Sequence, residues 1–147
     1  MIPHPEQALT DLAVRITTHI VPATTSTFAQ ADGQLLTVLL VSMAQDFERA
    51  VDNRMADINE IKTLIQTLQK HVDNNRPFSN MNQTNAFLRA EPLSLKLSDV
   101  NALHAQGFDC LIEMQIWAEK HNQPLNLSIW QLLRRHSERN KFQIPAV

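Results

Sequence analysis

Apolar residues recur along this chain at three- and four-residue intervals, the spacing that places them on one face of a helix. Leu9, Leu12, Ala13, Ile16 and Ile20 make the first such stripe, in a segment opened by Pro5 and interrupted at Pro22, whose missing N–H breaks the helical ladder. Ala23 to Ala31 reads as a short, weakly helical resumption, because its Thr-Thr-Ser run is a poor helix former. Asp32-Gly33 then looks like a boundary, with Asp32 the expected N-cap of the next helix.

From Gln34 to Asn75 there is neither Pro nor Gly. Phe47, Val51, Arg54, Ile58, Ile61, Ile65, Leu68 and Val72 follow an alternating four-three spacing, the signature of a bundle seam. A continuous helix over Gln34 to Val72 would be about 57 Å long; a break near Asp52-Asn53 is the alternative. Arg54 stands where the seam calls for an apolar side chain, so its guanidinium must reach water or a carboxylate such as Asp57, Asp109 or Glu113.

Between Asp73 and Pro92 turn residues dominate, with a short helix expected over Asn82 to Ala90. Val100, Leu103, Gly107, Cys110, Leu111, Met114, Trp117 and His121 form the next stripe, with Ser98 as its expected N-cap and Gly107 a point of close helix approach. Pro124 should end that segment, and Ser128 should cap a last helix carrying Ile129, Leu132, Leu133 and His136. Strand alternation is confined to Leu93–Leu97 and is weak. The pattern predicts an all-α protein, an up-and-down bundle of four main helices plus one or two short ones, in a single domain over 1–147.

Composition narrows the function more than it identifies it. The chain has 147 residues, 44% apolar, 19% charged, with a formal net charge of −2. That balance disfavours a disordered tail and a nucleic-acid binder acting through bulk charge. Two glycines leave no phosphate-cradling loop or dinucleotide fingerprint. A single cysteine excludes an internal disulfide framework. The N-terminus lacks a basic region followed by an apolar run, and no stretch approaches the ~20 apolar residues of a membrane span. These features point to the cytoplasm.

Candidate chemistry is sparse. Asp46, Glu48, Asp52, Asp57 and Glu60 crowd the long helix, and Asp109 and Glu113 lie on a later one. Facing carboxylates can hold Mg²⁺, as in helical nucleotide pyrophosphatases, but only Asp57-x-x-Glu60 is present and its partner motif is missing. These acids read more simply as a solvated face. No two of His4, His19, His71, His104, His121 and His136 lie three or four residues apart, so neither a zinc nor a di-iron motif is formed. His121 and His136 read as half-buried ends of apolar stripes. Cys110, on an apolar stripe beside Asp109, reads as a core residue with a raised pKa. Arg134, Arg135, Arg139 and Lys141, four cations against Glu138, give the last helix a local charge of +3 that could contact phosphates. Docking against the acidic long helix explains the same asymmetry.

The strongest functional hint is Leu35, Leu36, Val38, Leu39, Leu40 and Val41, two turns that are apolar nearly all round. Such a helix is central in its bundle or lies in a subunit interface. The leading expectation is therefore a non-enzymatic interaction or accessory protein acting as a homodimer, with no catalytic residue, cofactor or metal. The alternatives are a small Mg²⁺-dependent hydrolase and a weak nucleic-acid binder.

Overall fold

A computed structural model describes residues 4–71 and 78–143, the His71 side chain excepted. It is all-α, with no strand among the described residues. In order come α1 (Pro5–Arg15), a π-helical turn (Ile16–Ile20), α2 (Val21–Ala23), α3 (Thr27–His71), α4 (Met81–Arg89), α5 (Leu97–His121) and α6 (Gln123–Arg139). The four longer helices and the short α4 match expectation; the short helix expected over Ala23 to Ala31 does not form, because α2 ends at Ala23 and the residues from Thr27 onward belong to α3. They group into two compact units, residues 1–50 with 141–147 and residues 51–140, and α3 contributes to both.

In the first unit, the π-turn has a local cause. Pro22 cannot donate to a carbonyl one turn back, and the widened turn before it is closed by the Val21 N–H on the Ile16 carbonyl. The next helix begins earlier than expected. Ser26 accepts the Ala29 N–H on Oγ at 3.4 Å and the Gln30 N–H on its carbonyl at 3.0 Å, so α3 starts at Thr27 and Asp32-Gly33 lies inside it. Gly33 is there for packing rather than for a turn. A Cβ on it would stand 2.5 Å from Val21 Cγ2. Thr17 and Thr37 share a hydroxyl–hydroxyl hydrogen bond of 3.1 Å beside this crossing. Gln45 pairs with the backbone of Gln143 in both directions, at 2.6 and 3.0 Å, and Arg49 donates to the Lys141 carbonyl.

The second unit holds the hydrophobic core. Ile58, Ile61, Ile65 and Leu68 of α3 are buried with Val100, Leu103, Cys110, Leu111 and Met114 of α5 and Leu125, Ile129 and Leu132 of α6. The predicted seam therefore holds from Ile58 to Leu68. Val72 lies outside the described residues, as do Asp73, Asn74, Asn75 and Pro77. Phe47, in the first unit, is exposed. Arg54 is half-buried and is not without a partner.

Two caps differ from expectation. Lys96, not Ser98, precedes α5. Ser94 accepts the Lys96 N–H and donates to Asp99 Oδ2 at 2.6 Å, which ties down the entry to the helix. Pro124 opens α6 instead of closing α5, because proline is tolerated in a first turn where N–H groups are unbonded anyway. Asn122 is the cap, its Oδ1 accepting the Leu125 N–H at 3.0 Å, while Ser128 lies inside the helix and donates to the Pro124 carbonyl. The Leu93–Leu97 alternation is no strand; Leu93 and Leu95 are exposed.

α4 is a packed excursion, seated by Phe87 on Gly107. A Cβ at 107 would stand 2.7 Å from Phe87 Cζ and 3.3 Å from Ile61 Cδ1. Gly107→Ala gains up to about 1 kcal/mol of helix propensity but overpacks a contact that costs roughly 1–3 kcal/mol. We expect a net loss in denaturant titration that shrinks when Phe87 is replaced by Leu in the same chain.

A candidate site at Asp57, His104 and His136

Each polar residue of the site lies beside a core residue. Asp57 precedes Ile58 on α3, His104 follows Leu103 on α5, and His136 is one turn after Leu132 on α6; all three neighbours are buried. Burying these apolar positions fixes the backbone that carries the polar ones, so three helices deliver their side chains to one point.

Asp57 is completely buried. Its Oδ2 accepts from His104 Nε2 at 3.0 Å and from His136 Nδ1 at 2.6 Å. Its Oδ1 is held by Arg139 Nη2. Arg139 also donates from Nη1 to Glu60 Oε1 at 2.6 Å, and Arg135 donates from Nε to Glu60 Oε2 at 2.9 Å. The Phe108 ring centroid lies 4.7 Å from that of His104 and 5.0 Å from that of His136, so one aromatic wall supports both imidazoles. The imidazoles keep some access to solvent: the His104 side chain is 20% exposed and that of His136 31%.

The electrostatics follow from this geometry. Burial pushes the Asp57 carboxyl up, but hydrogen bonds from His104, Arg139 and His136, with the charge on His136, more than reverse it and hold it at about 2. Glu60 is also lowered, burial opposing and the two arginines prevailing. Burial works against the charge of Arg139, yet its bonds to Asp57 and Glu60 raise its pKa. Burial, then the Asp109 charge, pushes the Cys110 thiol up. It is a free thiol in the core, as its stripe position implied.

The acidic stretch thus divides. Asp57 is not on a solvated face; Glu60 is half-buried with it; Glu48 and Asp52 are exposed, and Asp46 is half-buried with a partner of its own. Asp109 is exposed and Glu113 half-buried. Among the described residues, the His, Cys, Asp and Glu side chains whose ligand atoms converge in a group of three, within 4.8 Å of one another, are Asp57, His104 and His136. His4 and His19 are exposed; His121, expected to be half-buried, is exposed too, its ring tilted against Trp117 at 5.4 Å; the His71 side chain lies outside the described residues. In the basic last helix, Arg135 and Arg139 are tied to carboxylates, while Arg134 is exposed.

Motif spacing could not find this cluster, since its members are separated by 47 and 79 positions from Asp57 and each stands alone on its helix. The available signal was their adjacency to stripe residues: Asp57 to Ile58, His104 to Leu103, and His136 to the Leu132 stripe. No protein-family model, curated protein or solved structure matches the chain.

Proposed function

We propose that this chain is a non-enzymatic helical interaction or accessory protein that acts as a homodimer through its N-terminal unit. One observation carries the reading. Among the described residues that unit buries almost nothing large: the buried apolar side chains there are Ala13, Ala44 and Ala50. By contrast Phe28, Leu35, Leu36, Val38, Leu39, Met43 and Phe47 of α3, with Leu12, Val14 and Ile20, are each half or more exposed. Two helices joined by alanines and a glycine crossing lack a core of their own; helices with one apolar stripe reach stability by burying it on others.

A second copy of the chain fits this face best. Phe28, Leu35, Leu39 and Met43 recur at helical spacing with Leu36 and Phe47 beside them, so two copies would bring four helices together around a shared seam. The six side chains of this stripe offer roughly 600 Å², most of what each partner buries in a standard interface. A lipid surface fits less well. No Lys or Arg occurs between Arg15 and Arg49, whereas interfacial helices carry basic residues on their polar face. No helix among the described residues is long and apolar enough to cross a membrane. The single free cysteine suits a reducing compartment, which favours the cytoplasm.

The alternatives draw less support. A Mg²⁺ ion would need carboxylate oxygens of Asp57 and Glu60 that guanidinium groups occupy. Two arginines of the basic helix are likewise engaged. Sedimentation equilibrium at micromolar concentration tests the dimer. The expected result is a dimer for the natural sequence, and a monomer with an unchanged core for the double variant Leu35→Glu, Leu39→Glu. A natural chain that sediments only as a monomer overturns the reading.

A further inference from the structure

We propose that Asp57 Oδ2, His104 Nε2 and His136 Nδ1 form a binding site for a divalent transition-metal ion of the zinc type. The three ligand-type atoms come from three helices and lie within 4.8 Å of one another. Ligand atoms around a tetrahedral ion with bonds near ~2.1 Å stand roughly 3.4 Å apart, so the 3.0 and 2.6 Å contacts need to open by only a few tenths of an ångström to about 0.8 Å. Two imidazoles and one carboxylate suit Zn²⁺, Co²⁺ or Fe²⁺ rather than Mg²⁺, which takes oxygen ligands and resists dehydration.

The surroundings match what a metal site needs. Arg139 occupies Oδ1 and is itself anchored by Glu60, so Oδ2 is the oxygen presented to the two rings. Outer partners that aim a ligating carboxylate in this way tune metal affinity. Phe108 fixes the planes of both imidazoles. On binding, the proton each ring shares with Oδ2 moves to the ring's other nitrogen or to solvent, and the bare nitrogen faces the ion. Asp57 and Glu60 balance Arg135 and Arg139, so the ion brings an uncompensated positive charge. The solvent-facing edge of the imidazoles leaves room for water or an anionic group as a further ligand.

The proposal concerns the second unit and stands apart from self-association; each can fail without the other. The test uses untagged protein stripped with a chelator and titrated with Zn²⁺. Zinc occupancy is read by competition with a chromophoric chelator, and the histidine rings by ¹H–¹⁵N correlation spectra. The expected result is one Zn²⁺ per chain, with ring signals of His104 and His136 shifting together while those of His19 and His121 stay in place. His104→Gln and His136→Gln should each weaken binding by ~10-fold or more. The spectra are recorded on the natural sequence, so a variant that fails to fold leaves the reading intact. Zn²⁺ that shifts neither ring, or binds a folded His104→Gln or His136→Gln chain as tightly as the natural one, overturns the proposal.

Discussion

Asp57→Ala is expected to cost about 3 kcal/mol or more in the ion-free protein, read as a shift of the denaturant midpoint. The carboxylate is fully buried and serves three donors on two other helices. Removing it leaves those donors facing an apolar methyl, and breaking a buried charged pair from one side typically costs 3–5 kcal/mol. Arg139 keeps Glu60 as a partner, which places the loss toward the lower end. Glu60→Gln is the control. Glu60 and Arg135 are both partly exposed, and exposed ion pairs contribute ~0–1 kcal/mol, so this change should be several times milder.

The same carboxylate sets an acid limit. Its folded-state pKa of about 2 lies below the value of 3.8 for an unperturbed group. The stabilisation is complete above pH ~4 and is lost as pH falls from there toward 2, because the unfolded chain takes up the proton first. The difference corresponds to roughly 2 kcal/mol. Stability measured from pH 5 to pH 2 should therefore fall less steeply in Asp57→Ala than in the natural sequence; parallel curves would contradict the assignment.

How much of this was legible depended on whether the signal was local. The helical stripes were, because burying one face of a helix is a property of near neighbours in sequence. Hence Ile58 to Leu68, Leu103 to Met114 and Ile129 to Leu132 could be named as core beforehand. Helix starts were less so. Ser98 and Ser128 are good caps in isolation, but Ser94 with Asp99 in one case, and Asn122 with Pro124 in the other, compete for the same first turn and win. Asp32-Gly33 looked like a turn because glycine usually marks one, whereas here its missing Cβ admits Val21. The polar cluster was the least legible, since it exists only after three helices pack. Its acid looked like part of a solvated run until the arginines and histidines of α5 and α6 were placed around it. Phe47 failed in the opposite sense: it has the right spacing for the seam but lies in the unit where the described residues bury no large apolar side chain.

That contrast along α3 gives the other large expected effect. Ile65 is fully buried among the residues of the second unit, whereas Leu39 is half exposed in the first. Ile65→Ala removes buried methyl and methylene groups and leaves a cavity that packed neighbours fill only in part, so it should cost about 2–5 kcal/mol at every protein concentration. Leu39→Ala removes a similar side chain from the same helix. In an isolated chain it should change stability by no more than ~0.5 kcal/mol, as exposed substitutions do. In a homodimer its cost becomes a loss of association free energy, so at a given concentration the unfolding midpoint should lie below that of the natural sequence and should level off at a higher concentration on dilution. Thermal unfolding of both variants across a hundredfold range of concentration separates the two behaviours. Concentration-independent midpoints for Leu39→Ala and the natural chain alike would remove the dimer, while the Ile65→Ala loss would stand on the core alone.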